Sequence, residues 1–172
     1  MTNTTAIPTT ATGVAPIALA PDEGEALWFL GSLVTVKASR ASSGGTVAVL
    51  EHRAPRGAGS PLHVHHREDE WFYVLEGELT FWVGGEIIVA PAGAFVFGPR
   101  GIPHTFMVSS DEARSLHVAE PAGFDEFVAA IAEPATALEI SPVSTEPPDV
   151  EGLTRVAATF GIDIIGPPGI PD

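Results

Sequence analysis

Three histidines and one glutamate stand out in the sequence because their types and spacing suit a metal ion. His63 and His65 are two residues apart, Glu70 follows shortly afterwards, and His104 lies beyond a break rich in Gly and Pro. Neutral imidazoles and a carboxylate suit first-row divalent cations, and the chain has no cysteine that could add a soft thiolate ligand. The four residues therefore predict a site for one such ion: Fe, Ni, Mn, Co, Cu or Zn.

Short strands must carry these side chains if they are to meet. Successive side chains on a strand alternate between its two faces, so His63 and His65 point the same way. Glu70 precedes the aromatic and β-branched run Trp71–Leu75, and His104 opens another run of this kind. Ligands from three strands can meet at one point only if the sheet curls around it, so the predicted site lies inside a curved β-structure.

The rest of the central chain also has the pattern of short strands separated by turns that contain Gly and Pro. Short, evenly spaced strands are typical of a β-barrel or a β-sandwich. The predicted strands are Trp28–Ala38, Thr46–Arg53, Trp71–Leu75, Leu79–Val83, Glu86–Val89, Ala94–Phe97, Thr105–Val108 and Ala113–Ala119.

At these residues the sequence resembles the cupin superfamily, in particular its small single-domain, quercetinase-like members. The residues that match the two family motifs are Gly57, His63, His65, Glu70 and Gly77, and then Gly93, Pro99, Gly101 and His104, with Val108 in place of the final asparagine. The resemblance implies an all-β jelly-roll barrel that holds the metal inside. It also implies that His63, His65, Glu70 and His104 are the ligands.

Two helices are predicted after the barrel. The first has an apolar stripe at helical spacing, formed by Phe124, Phe127, Val128 and Ile131. The second is predicted over Val150–Phe160, with Asp149 as its N-cap and Gly161 as its stop.

The predicted fold class is therefore all-β, a jelly-roll (cupin) β-barrel with C-terminal helices. We divide the chain into a flexible arm (residues 1–24), a cupin domain (25–133), and a Pro-rich linker, short helix and tail (134–172).

Composition and charge limit the expected partners. The chain has 172 residues, 45% of them hydrophobic, which is enough for one folded domain with tails. Its net charge of −14 repels phosphate backbones and anionic lipid surfaces, so we expect neither nucleic acid nor a membrane as a partner.

Residues 1–24 contain no Lys or Arg and are interrupted by prolines, unlike a secretory signal, so we expect a cytoplasmic protein. Exposed sheet edges in barrels of this family lead us to expect a homodimer.

The side chains that share strand faces with Glu70 and His104 are apolar, and they predict the wall of a pocket. They are Phe72, Val74, Phe106 and Val108. An apolar pocket with few polar groups suits a flat aromatic or lipophilic small molecule.

The resemblance implies a metal-dependent dioxygenase, an oxidoreductase that acts on a small hydroxylated aromatic or enol substrate. In that enzyme the substrate binds the metal and Glu70 is the catalytic residue that takes its proton. Two alternatives remain open. The first is non-oxidative cyclase or isomerase chemistry in the same pocket. The second is a non-catalytic protein whose metal is structural or helps to hold a ligand.

Three further histidines are expected to lie outside the ligand set. His52 and His117 occur in apolar strands, where hydrogen-bonded core or surface residues are commoner than metal ligands. His66 follows His65 directly and should therefore point to the opposite face of the strand.

Overall fold

Residues 13–142 and 149–171 are described by a computed structural model of the chain, which contains twelve strands and two helices in these ranges. In chain order the strands are β1 (Glu25–Phe29), β2 (Ser32–Ala38), β3 (Ala48–Pro55), β4 (Pro61–His65), β5 (Asp69–Glu76), β6 (Glu78–Val83), β7 (Glu86–Pro91), β8 (Phe95–Gly98), β9 (His104–Val108), β10 (Glu112–Glu120), β11 (Glu133–Pro134) and β12 (Ile162–Pro168). The helices are α1 (Phe124–Ile131), between β10 and β11, and α2 (Val150–Thr159), between β11 and β12.

The strands form two antiparallel sheets. The larger sheet has the order β11-β1-β2-β3-β10-β5-β8, and the smaller has the order β12-β4-β9-β6-β7. This arrangement confirms the predicted all-β, jelly-roll fold with C-terminal helices. Within the described residues no strand pairing joins the two sheets, so the barrel is not closed by hydrogen bonds.

Alternating side chains explain why the two sheets pack together. Along β3 and β10 every second residue is buried, as expected for strands with one face towards a core. One apolar cluster fills the space between the sheets around Phe72, Leu79 and Phe81. A second cluster lies between the larger sheet and the helices, and it includes Leu50 and Phe127. The metal-binding candidates lie next to both clusters.

Both predicted helices are present, and a side-chain carboxylate at the start of each accepts a backbone hydrogen bond. The Asp149 carboxylate accepts a hydrogen bond of 2.8 Å from the backbone N–H of Gly152, which confirms the predicted N-cap of α2. The Asp125 carboxylate, in the first turn of α1, accepts a hydrogen bond of 2.7 Å from the backbone N–H of Arg40. Helix α1 is thereby attached to the loop that follows β2.

The last segment of the chain was predicted to be a tail, and that prediction is wrong. Residues Ile162–Pro168 form β12, which pairs with β4 so that Ile162 lies opposite His65 and Ile164 opposite His63. The linker predicted from residue 134 is also partly structured, because β11 pairs with β1.

The predicted arm lies only partly within the described residues. Residues 1–12 lie outside them, as do residues 143–148 of the linker, and residues 13–24 contain no helix or strand. Neither helix found in the described ranges is long and apolar enough to cross a bilayer.

Candidate metal centre

The four predicted ligands come together from both sheets. His63 and His65 lie on β4, and His63 is directly opposite His104 of β9 in the smaller sheet. Glu70 lies on β5 of the larger sheet and reaches across to them. All four side chains are buried, and one ligand atom from each lies within 4.8 Å of the others. The group could therefore hold a single metal ion.

Glu70 is at the centre of this group. Its Oε2 atom is 2.8 Å from Nε2 of His104, 3.4 Å from Nε2 of His65 and 3.8 Å from Nε2 of His63. The same nitrogen of each ring thus faces the same carboxylate oxygen.

The outer nitrogen of each ring determines what the inner nitrogen can do. Nδ1 of His63 is 2.8 Å from the carbonyl oxygen of Pro61, and Nδ1 of His104 is 2.9 Å from that of Ile102. A carbonyl oxygen can only accept, so Nδ1 carries the proton in both rings and donates it. In the neutral rings Nε2 then presents a lone pair towards Glu70.

His65 completes this pattern. Its Nδ1 atom lies 3.3 Å from the buried carboxylate of Glu68, while its Nε2 atom is buried and has no hydrogen-bond partner in the described chain. A buried nitrogen lone pair costs desolvation free energy unless a hydrogen-bond donor or a cation binds to it. Three lone pairs and a carboxylate directed at one point need a cation between them, so the residues fit a divalent metal ion.

Electrostatics favour the ligand forms of Glu70 and His63. Burial opposes ionisation of Glu70, but the neighbouring His65, His104 and His63 outweigh it and hold the pKa of Glu70 well below its ordinary value. Burial lowers the pKa of His63, so this imidazole favours its neutral form. A carboxylate and a neutral imidazole are the states that bind a metal. For His65, burial opposes the charged ring, but the carboxylates of Glu70 and Glu68 outweigh it and raise the pKa.

Two of the motif glycines hold the strands in place. Gly101 has a φ of +77°, and its N–H donates a hydrogen bond of 2.7 Å to the carbonyl of His65. This bond brings the loop before His104 against β4. Gly77 has a φ of +74°, and a Cβ there would collide with the carbonyl oxygen of Glu112. A side chain at Gly77 would therefore clash with the neighbouring strand, and one at Gly101 would strain the backbone of the loop.

An apolar cavity opens beside the ligand group. Phe72 and Phe106 line it, together with Leu50 of β3 and the helix residues Phe124 and Phe127. The free volume is about 60 Å³, which is room for a few water molecules. A ligand that contains an aromatic ring can therefore enter only if part of this lining moves.

The other two predicted pocket residues lie elsewhere. Val74 and Val108 are fully buried in the apolar cluster between the sheets and do not line the cavity. Phe124 also lines the cavity, although it was not among the predicted pocket residues. The Phe124 ring lies 5.6 Å from the ring of His65, in an edge-to-face arrangement. The apolar stripe on α1 was the signal that could have shown this.

The remaining histidines divide as follows. His66 is exposed and contacts Asp163 of β12 at 2.7 Å, outside the site as predicted. His52 and His117 are buried and are not part of the ligand group, but both line the cavity. Burial and, for His52, the neighbouring His117 lower the pKa of both rings, that of His117 to about 4. Both imidazoles are therefore neutral near pH 7.

Comparison with known proteins agrees with the fold. The family model described as "Cupin domain" matches residues 49–119, which include all four candidate ligands. Residues 49–119 therefore resemble a cupin domain, and the chain is similar to small, quercetinase-like cupins. It is 28% identical over 122 residues to quercetin 2,3-dioxygenase of Bacillus subtilis, an alignment that covers 71% of this chain. The chain spans only 36% of the length of that relative.

Solved structures with the same fold have diverse names. A predicted oxalate decarboxylase from Thermotoga maritima has a TM-score of 0.56 at 18% identity, covering 62% of this chain and 99% of the other. The nucleoside dehydratase Pac13 from Streptomyces has a TM-score of 0.52 at 18% identity, covering 63% and 84%. At this level of identity the likeness concerns the fold alone. The family match ends before α1, α2 and β12 begin.

Proposed function

We propose that the chain is a metal-dependent dioxygenase acting on a small hydroxylated aromatic or enol substrate. The observation that carries this proposal is the convergence of three Nε2 atoms and the Glu70 carboxylate beside an apolar, aromatic cavity. The resemblance to a quercetin dioxygenase supports the choice of reaction.

The metal would be held by His63, His65, Glu70 and His104. A bound divalent ion supplies Lewis-acid chemistry towards the hydroxyl oxygen of a substrate and the redox chemistry that a reaction with dioxygen requires. Both atoms of dioxygen would enter the product as the ring opens, so no other oxidant or reductant is needed.

The role of Glu70 follows from its charge and position. Glu70 is ionised at neutral pH, and its carboxylate lies beside the cavity, where it can accept the hydroxyl proton of an enol. The hydrogen bonds from Nδ1 of His63 and His104 to backbone carbonyls keep these rings from rotating while that proton moves. Phe72, Phe106 and Phe124 surround the cavity and exclude water.

The test follows oxygen uptake and absorbance when metal-loaded protein meets quercetin and other enol substrates in air. The wild-type protein should consume dioxygen with at least one of them. The Glu70→Gln variant keeps an oxygen for the metal but accepts a proton poorly, so its turnover should fall roughly 100- to 10,000-fold while metal and substrate remain bound.

The matched control is Glu76→Gln, which makes the same change at an exposed position on β5. It should leave turnover unchanged. If metal-loaded wild-type protein consumes no dioxygen across the panel, the dioxygenase proposal fails. If uptake is unaffected by Glu70→Gln, Glu70 is not the base.

A second candidate is a non-oxidative enzyme that uses the same site. A buried, ionised carboxylate beside a ligand cavity suits proton transfer without dioxygen, as in isomerase or cyclase chemistry. The same fold occurs in proteins named as a dehydratase and a predicted decarboxylase. Conversion of an enol substrate under argon would favour this candidate.

A further inference from the structure

A second polar group faces the cavity, separate from the metal-binding candidates. His52 of β3 and His117 of β10 lie on neighbouring strands, with ring centroids 4.8 Å apart and ring planes inclined at 34°. They are 7% and 4% exposed, and both line the cavity. Burial lowers the pKa of His117 to about 4 and, together with the neighbouring His117, also lowers that of His52, so the pair is uncharged at neutral pH.

The hydrogen bonding of this pair is incomplete. The His117 Nε2 atom is 3.0 Å from the buried Ser115 hydroxyl. Within residues 13–142 and 149–171 the His52 side chain makes no hydrogen bond, although the ring is buried. Because this ring lines the cavity, a ligand there is within its reach. A desolvated imidazole nitrogen gains most when another polar group meets it there.

Two phenylalanine rings connect the histidine pair with the metal centre. The Phe72 ring centroid is 4.9 Å from that of His117 and 6.4 Å from that of His104. The Phe106 ring contacts both members of the pair, with centroids 5.7 Å from His52 and 5.3 Å from His117. A flat ligand lying against these rings can meet the metal centre at one end and the histidine pair at the other.

We infer that His52 and His117 form a recognition subsite that hydrogen-bonds a hydroxyl or carbonyl group at the second end of a flat aromatic ligand. The inference rests on the proposed function, since the enol end of the ligand is taken to bind at the metal centre. Neutral imidazoles offer both a donor and an acceptor, which suits a neutral polar group. Among the described residues no Lys or Arg lines the cavity, so the subsite selects uncharged hydroxylated rings over phosphorylated ones.

The experiment measures equilibrium binding of two ligands to metal-loaded protein under argon, followed by the absorbance of the ligand. Quercetin carries hydroxyl groups at both ends, whereas the parent flavonol carries only the enol. The wild-type protein should bind quercetin more tightly, because a site built to hydrogen-bond a hydroxyl discriminates against the analogue that lacks it. In His52→Phe the affinity for quercetin should fall roughly three- to tenfold, and that for the parent flavonol should not change.

Two further variants separate recognition from structure. His52→Gln keeps a hydrogen-bonding side chain and should restore part of the discrimination. His66→Phe makes the same substitution on the exposed face and should change neither affinity. If His52→Phe does not fold, His117→Leu replaces it with the same expectation, since it removes the other half of the pair.

Each result supports or overturns the subsite. Equal affinities of the wild-type protein for the two ligands, or equal losses for both in His52→Phe, overturn the subsite and leave the dioxygenase proposal standing. Discrimination that depends on His52 in a protein that consumes no dioxygen in air supports the subsite and overturns the dioxygenase. Failure of the wild-type protein to bind either ligand overturns both.

Discussion

The Nδ1 atoms of the three ligand-candidate histidines each face an oxygen of the protein. For His63 and His104 it is a backbone carbonyl oxygen, and for His65 it is the carboxylate of Glu68. These contacts fix the orientation of each ring before any ion binds. The site is therefore preorganised, and its affinity depends on single side chains.

Removal of one ligand imidazole should lower the metal content of the purified protein. We expect protein purified without added metal to contain close to one first-row divalent ion per chain and His104→Ala to contain far less. Changes outside the ligand shell typically cost roughly 10- to 100-fold in metal affinity, and loss of a ligand should cost at least as much. Elemental analysis measures the content.

The matched control for this prediction is His66→Ala, which removes an exposed imidazole directly after β4. Its metal content should equal that of the wild-type protein. Substoichiometric metal that His104→Ala does not reduce would contradict the assignment of the centre.

For individual residues, the sequence predicted that the four candidate ligands would lie close together. It predicted only part of the cavity wall. Strand alternation indicated which side chains point inwards, and all four predicted wall residues are buried. Alternation does not indicate whether an inward-facing residue lies at the cavity or farther along the strand, in the packed core. Phe72 and Phe106 consequently face the cavity, while Val74 and Val108 pack among other apolar side chains.

Among the secondary-structure elements, α1, α2 and β12 form one side of the cavity. Phe124 and Phe127 of α1, Leu153 of α2 and two isoleucines of β12 contribute to its lining. Since the free space is only about 60 Å³, a ring-sized ligand must displace some of these residues. We call α1, α2 and β12 together the cover.

Phe124 is an aromatic residue of the cover that packs edge-to-face on a candidate ligand, His65, and its removal should loosen the cover. In Phe124→Ala the KM for an aromatic substrate should rise roughly tenfold, because the hydrophobic contact that a phenyl ring gives a bound ligand is lost. Steady-state kinetics with the best substrate of the panel provide the measurement.

Ile131→Ala is the control for stability. Ile131 is also partly buried on α1 and packs on the same apolar cluster, but it does not line the cavity. Both variants should lose about 1 to 3 kcal/mol of unfolding free energy. A KM that rises equally in both would mean that α1 contributes packing alone.

The sequence predicted both helices but not β12. Helical spacing and the Asp149 cap are local signals, and each is visible within a dozen residues. Residues 162–168 include Gly166, Pro167 and Pro168, which indicate a turn or tail. Their strand structure comes from pairing with β4, a distant segment that local patterns do not reveal.

For the whole molecule, the outer face of β5 and β8 bears on the predicted homodimer. Phe95 is 58% exposed, and the Trp71 ring stacks on Phe97 with centroids 4.3 Å apart. Strand β8 is also the last strand of its sheet, so its outer edge is free within the described residues. An exposed aromatic face beside a sheet edge is a suitable surface for a second copy.

We expect light scattering at micromolar concentration to give the mass of a dimer for the wild-type protein. Phe95→Glu should shift the mass towards the monomer, because a carboxylate would be buried at the contact. Val150→Glu introduces the same charge at an equally exposed apolar side chain on α2 and should leave the dimer intact. A monomeric wild-type protein would contradict the prediction.

The pairing of β4 with β12 has a consequence for how the chain folds. The contact between His66 and Asp163 joins residues 97 positions apart, and closing such distant pairs is slow. Three of the four candidate ligands lie within the short segment His63–Glu70, so they are present together before those pairs form. An ion captured by this segment would cross-link the chain early, and the order of metal supply and strand closure then decides which ion the finished protein retains.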